Sequence, residues 1–131
     1  MAATAPTASR PLLVVDDDEG ILLLMAETLR GEGYEVVTAG SAKAAREALD
    51  QQSPELMILD LKLQDGSGST LVAGLQRGPR RVPFVVVTGQ GDEKVAVEVM
   101  KQGALDYVIK DTRLLDVLPA VIQRALAAVA Q

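Results

Sequence analysis

Five polar residues close apolar, β-rich runs in this chain. "PLLVV" runs into Asp16 and Asp17, "ELMILD" ends on Asp60, "VPFVVVT" ends on Thr88 and "DYVIK" ends on Lys110. Carboxylates gathered at the end of a buried segment are costly. Two of them about 4 Å apart repel by roughly 4 kcal/mol at an effective dielectric of 20. Such a group calls for a cation or for a reaction that uses it. The chain has no histidine and no cysteine. That removes imidazole bases, phosphohistidine, thiolate nucleophiles, disulfides and metal sites built on either residue. If a phosphoryl group moves on this chain, another residue type must accept it.

The elements that would carry these residues follow from hydrophobic periodicity. A length of 131 residues suits one domain, and 48% hydrophobic content allows a real core. Phe84, Tyr34 and Tyr107 are the only aromatic residues, so that core is aliphatic. Strands are expected at Pro11–Val15, Tyr34–Ala39, Glu55–Asp60, Val82–Thr88 and Asp106–Lys110. Helical patterns lie between them: Asp18–Arg30, a segment capped by Ser41, Ser69–Gln76, a segment capped by Asp92 and ended by Gly103, and Thr112–Ala130. "QDGSG", with Asp65, reads as turn chemistry. Strand and helix alternating five times predicts an α/β fold with a parallel sheet covered on both faces. In such sheets ligands bind beyond the carboxyl ends of the strands, where the polar residues above lie.

A net charge of −5 argues against binding nucleic acid or an anionic membrane. The most basic segment, Arg77-Gly78-Pro79-Arg80-Arg81, reads as a solvated loop. No apolar run approaches the roughly 20 residues of a membrane span. "MAATAPTASR" lacks the apolar stretch of a secretory signal. Residues 1–10 read as a flexible tail and 11–131 as the domain. The absence of cysteine fits a reducing compartment such as the cytoplasm.

"VVDDDE", "MILDLKLQDGSG", "VVVTGQGD" and "GALDYVIK", in this order, resemble the receiver domain of bacterial two-component response regulators from Pro11 to about Ala128. The resemblance implies a doubly wound, flavodoxin-like (CheY-like) sheet in the order 2-1-3-4-5. Strands one and three are then neighbours, and Asp16, Asp17 and Asp60 converge. Lys110 alone cannot neutralise three carboxylates. Oxygen ligands without His or Cys select a hard cation, Mg²⁺ or Mn²⁺. By resemblance, Asp17, Asp60 and the Lys62 backbone carbonyl ligate it, with Asp16 acting largely through water. Asp60 resembles the phosphoacceptor. Thr88, the Gly89 N–H and Lys110 would hold the phosphoryl oxygens. Tyr107 resembles the switch aromatic, which would alter the face of the fourth helix, fifth strand and fifth helix. The implied partner is a sensor histidine kinase or phosphotransfer protein. Lys62 and Gln90 occupy positions that can tune loss of the phosphoryl group, with the Lys62 ammonium competing electrostatically with the metal. The domain is expected to act alone or as the N-terminal module of a longer protein that carries an output domain.

Two positions depart from the family pattern. Asp111 stands where proline usually follows the lysine, which affects the loop that places Lys110. Gln64 stands where proline is frequent. In the last helix, Leu115, Leu118, Ile122, Ala125 and Val129 form an apolar stripe. It seeds a homodimer or a coiled linker toward an output domain, or is simply buried. Pro119 predicts a kink or restart near Asp116. Two alternatives to a working receiver remain. One is a haloacid-dehalogenase-like phosphatase fragment with Asp16 as nucleophile and Asp18 as acid/base. The other is a receiver-like scaffold that is never phosphorylated.

Overall fold

Leu12–Val15 form strand β1, buried on both faces. That is what a run of four large aliphatics requires: alternate side chains point to opposite faces, so both faces must be covered. A computed structural model of the protein describes residues 10–77 and 81–130. After β1 come α1 (Glu19–Gly31), β2 (Val36–Ala39), α2 (Ala42–Gln51) and β3 (Leu56–Asp60). A small hairpin follows, β4 (Lys62–Leu63) and β5 (Gly66–Ser67), then α3 (Gly68–Arg77) and β6 (Phe84–Gly89). The chain continues through α4 (Glu93–Lys101), β7 (Tyr107–Lys110) and α5 (Leu114–Val129).

Five of these strands make one parallel sheet in the order β2-β1-β3-β6-β7. With the hairpin set aside, this is the expected 2-1-3-4-5. Leu12, Val14, Leu56, Ile58, Val85 and Val87 face α1 and α5, packing on Met25, Leu29, Leu118 and Ile122. Leu13, Val15, Met57, Leu59, Phe84 and Val86 face the other side, against Ala45, Leu49, Leu71, Val72 and Val99. Burial of each large side chain stabilises the fold by about 1.5–3 kcal/mol. The β strands therefore hold a rigid edge on which side chains can be positioned.

Several local expectations need correction. "QDGSG" does more than turn, because Lys62 pairs with Ser67 and Leu63 with Gly66 in an antiparallel hairpin. Asp92 stands at the N-cap of α4 without making a capping bond, since its carboxylate is drawn to Lys62. Ser41 does cap α2, its Oγ accepting from the Ala44 N–H at 3.0 Å. Gly103 ends α4 as expected. At φ 111° it lets its own N–H reach the Met100 carbonyl and the Ala104 N–H reach that of Val99.

The last helix begins at Leu114 instead of Thr112 and runs to Val129 without a restart. The Asp116 and Val117 N–H groups both bond the Arg113 carbonyl, so the first turn is closed before Pro119. Its supposed surplus stripe is largely core. Leu118 and Ile122 are fully buried and Ala125 nearly so, because α5 packs against the sheet and α1 together. Residues 1–9 of the expected tail and Gly78, Pro79 and Arg80 of the basic segment lie outside the described residues.

Candidate functional site

Register brings the polar strand ends together. Val15 pairs with Leu59, and Asp60 pairs with Val87. Asp16 and Asp60 thus lie at the carboxyl edges of neighbouring strands, with Thr88 one residue past Val87. Gly89 pairs with Lys110 on the far side. Asp16, Asp17 and Asp60 each offer a carboxylate oxygen, and the three oxygens lie within 4.8 Å of one another. Asp16 is fully buried, and Asp60 and Thr88 nearly so.

Lys110 reaches into this cluster. Its Nζ is 2.8 Å from Asp16 Oδ2 and donates to Asp60 Oδ2 at 3.0 Å. The Asp16 contact is an ion pair whose angle falls outside hydrogen-bond geometry, so Oδ2 has charge compensation without a directional bond. Backbone N–H groups take other oxygens: Asp18 donates to Asp16 Oδ1 at 2.9 Å, Lys62 to Asp60 Oδ1 at 3.1 Å and Gln64 to Asp17 Oδ2 at 2.8 Å.

Burial pushes the Asp16 carboxyl above its ordinary value; the adjacent Lys110 ammonium and the Asp18 N–H oppose this, and the charge of Asp60 adds to it. Burial alone would lower Lys110, but the bond to Asp60 and the charges of Asp16 and Asp60 outweigh it and raise its pKa. One ammonium facing three carboxylates leaves two negative charges unbalanced. The donors are all oxygen, the set that suits a hard divalent cation. The residues present therefore fit such an ion.

The remaining positions resolve differently. The Asp111 substitution does not displace Lys110. The described peptide bonds are all trans, and Asp111 Oδ1 accepts from the Arg113 N–H at 2.8 Å, closing a turn into α5. The Lys62 ammonium pairs with Asp92 at 3.0 Å instead of turning to the three carboxylates, and it is largely exposed. Lys62, Asp92, Leu61, Thr88 and Val95 line a hollow of about 220 Å³ beside the site. Gln90 is exposed in the turn before α4. Tyr107 is 37% exposed and borders a groove with Ile109, Val117 and Val121.

Two contributors escaped the sequence reading. Gly68 packs against the backbone that carries Asp60: a Cβ there would sit 2.7 Å from the Asp60 carbonyl and 2.8 Å from Leu61 Cα. Its place after "DGS" was the only hint. Asp65, read as a turn former, instead accepts from the Ala42 N–H at 2.9 Å and the Lys43 N–H at 3.1 Å. Nothing local signals partners more than twenty residues away.

Comparison with known proteins points to one family. A family model described as the response regulator receiver domain matches residues 12–122. The acid tolerance regulatory protein ActR of Rhizobium meliloti (strain 1021) is 34% identical over 115 residues, covering 88% of this chain and 59% of ActR. The photosynthetic apparatus regulatory protein RegA of Rhodobacter capsulatus is 31% identical over 120 residues, covering 92% of this chain and 65% of RegA. The chain therefore spans about three fifths of the length of these curated relatives. The crystal structure of the receiver domain of NtrX from Brucella abortus superposes with a TM-score of 0.83 at 35% identity, over 88% of this chain and 98% of that one.

Proposed function

The chain belongs to the response regulator receiver domain family, and from that premise we propose that Asp60 accepts a phosphoryl group in a Mg²⁺-dependent transfer. The donor would be a histidine kinase or a histidine phosphotransfer protein. The observation that carries this reading is the Lys110 ammonium between Asp16 and Asp60, which balances only part of the acidic cluster.

An Asp60 carboxylate oxygen attacks phosphorus in line. The P–N bond of the donor breaks, and its imidazole leaves with the electron pair and takes up a proton. Asp16, Asp17, Asp60 and the Lys62 carbonyl are the residues that would hold Mg²⁺ (or Mn²⁺), which when bound offsets charge on the transferring oxygens. Lys110 adds a second positive charge on the Asp60 side. Thr88 Oγ and the Gly89 N–H would bond the phosphoryl oxygens. Gln90, in the same turn, would orient the water that later removes the group.

The new acyl phosphate adds roughly −1.5 to −2 of charge. Drawing Thr88 toward it would free space for Tyr107 to turn inward, changing the α4-β7-α5 face presented to an output domain or a second copy. Asp18 is engaged as the N-cap of α1, accepting from the Ile21 N–H at 3.1 Å. That makes it a poor acid/base for the phosphatase alternative. No described helix is long and apolar enough to cross a membrane.

The test is incubation with a small acyl-phosphate donor, with Mg²⁺ or with EDTA, read by intact mass. One added phosphoryl group with Mg²⁺ and none with EDTA is expected. Equal labelling in both would remove the metal from the reading.

A further inference from the structure

The loop that follows Asp60 is tied down at both ends. Within it, the Lys62 N–H donates to Asp60 Oδ1 and the Gln64 N–H to Asp17 Oδ2. The same short segment thus holds two of the three clustered carboxylates through its backbone. The next residue, Asp65, reaches away from the site. Its two oxygens take the N–H groups of Ala42 and Lys43 in the first turn of α2. Those donors have no partner within the helix, and a carboxylate suits the positive end of its dipole. The third N–H of that turn is already taken by Ser41 Oγ.

We propose that Asp65 is a positioning residue for the divalent-cation site. By docking on α2 it holds the Gln64 amide against Asp17 and so fixes the orientation of that carboxylate. This rests on the reading of Asp17 as a metal ligand. A ligating carboxylate is oriented by the hydrogen bond on its outer side, and loss of such support typically costs 10–100-fold in metal affinity. Helix α2 thereby becomes a physical part of the site, although none of its side chains is among the clustered carboxylates.

The simpler role for Asp65 is to cap α2. Ser41 separates the two, because Ser41→Ala weakens the same helix end and leaves the loop untouched. Mg²⁺ is titrated calorimetrically into wild type, Asp65→Ala, Asp65→Asn and Ser41→Ala, with a thermal melt of each in EDTA. Asp65→Ala should bind Mg²⁺ about 10-fold more weakly. Asp65→Asn, which keeps one acceptor oxygen, should fall between it and wild type. Ser41→Ala should melt lower and bind Mg²⁺ as wild type does. Wild-type affinity in a folded Asp65→Ala overturns the proposal, as does equal weakening in Ser41→Ala. Should Asp65→Ala not fold, unchanged affinity in Asp65→Asn overturns it. A wild type that takes up no Mg²⁺ overturns the metal reading itself, and the positioning role with it.

Discussion

Lys110 Nζ donates to Asp60 Oδ2 at 3.0 Å across fifty residues of chain. The same ammonium is 2.8 Å from Asp16 Oδ2. It is the cation of the site, and the energetics of the carboxylates depend on it. Lys110→Ala should lower stability in EDTA by about 2–3 kcal/mol, below the range for a fully buried pair because the lysine is 22% exposed. Urea denaturation measures this. Saturating Mg²⁺ should narrow the gap between variant and wild type.

A cation held by this cluster should compete with protons at Asp16. Its folded pKa is raised above 3.8, first by burial. In the metal-free protein the folded state therefore holds this proton more tightly than the unfolded state. The contribution of Asp16 to stability falls as pH rises through the window between 3.8 and the raised value. Mg²⁺ competes with that proton, so its affinity should drop as pH falls into the same window. Calorimetry in buffers of different ionisation enthalpy should detect proton release on binding. In Asp16→Asn that release should shrink.

Asp65 behaves with the opposite sign. The Ala42 and Lys43 N–H bonds hold its carboxyl below 3.8. Its stabilising effect is fully present above 3.8 and is lost as pH falls through the lower folded value. Asp65→Asn should melt lower than wild type at pH 7. The two melting curves should converge at the acid end. A constant offset down to the lowest pH would contradict the assignment.

These relationships were not equally visible in the sequence. Asp16, Asp17, Asp60, Thr88 and Lys110 stood out because each closes an apolar run, and a parallel sheet places all such ends at one edge. A cap made within three residues, Ser41 to Ala44, was legible for the same local reason. Asp92 looked like another cap, but its fate depends on Lys62, thirty residues earlier. Asp65 depends on the approach of α2 to the hairpin. The apolar width of α5 was read correctly, but how many neighbours share it is a tertiary fact: Leu118 and Ile122 are fully buried in the sheet and α1 cluster.

Gly68 offers a purely steric prediction. In Gly68→Ala the new Cβ meets backbone atoms of Asp60 and Leu61, which cannot swing aside as a flexible side chain would. Destabilisation of about 1–3 kcal/mol is expected. The carboxylate-bearing residue should be displaced, slowing phosphorylation by a small donor more than the stability loss alone explains. The rate in the fraction that remains folded, at low temperature, checks this.

The central claim is that Asp60 receives the phosphoryl group. The most direct measurement is intact mass of wild type and Asp60→Asn after incubation with Mg²⁺ and a small acyl-phosphate donor. One phosphoryl group on wild type, lost in mild base as an acyl phosphate should be, and none on a folded Asp60→Asn is the predicted result. A phosphoryl group that persists at the same level in Asp60→Asn would contradict it.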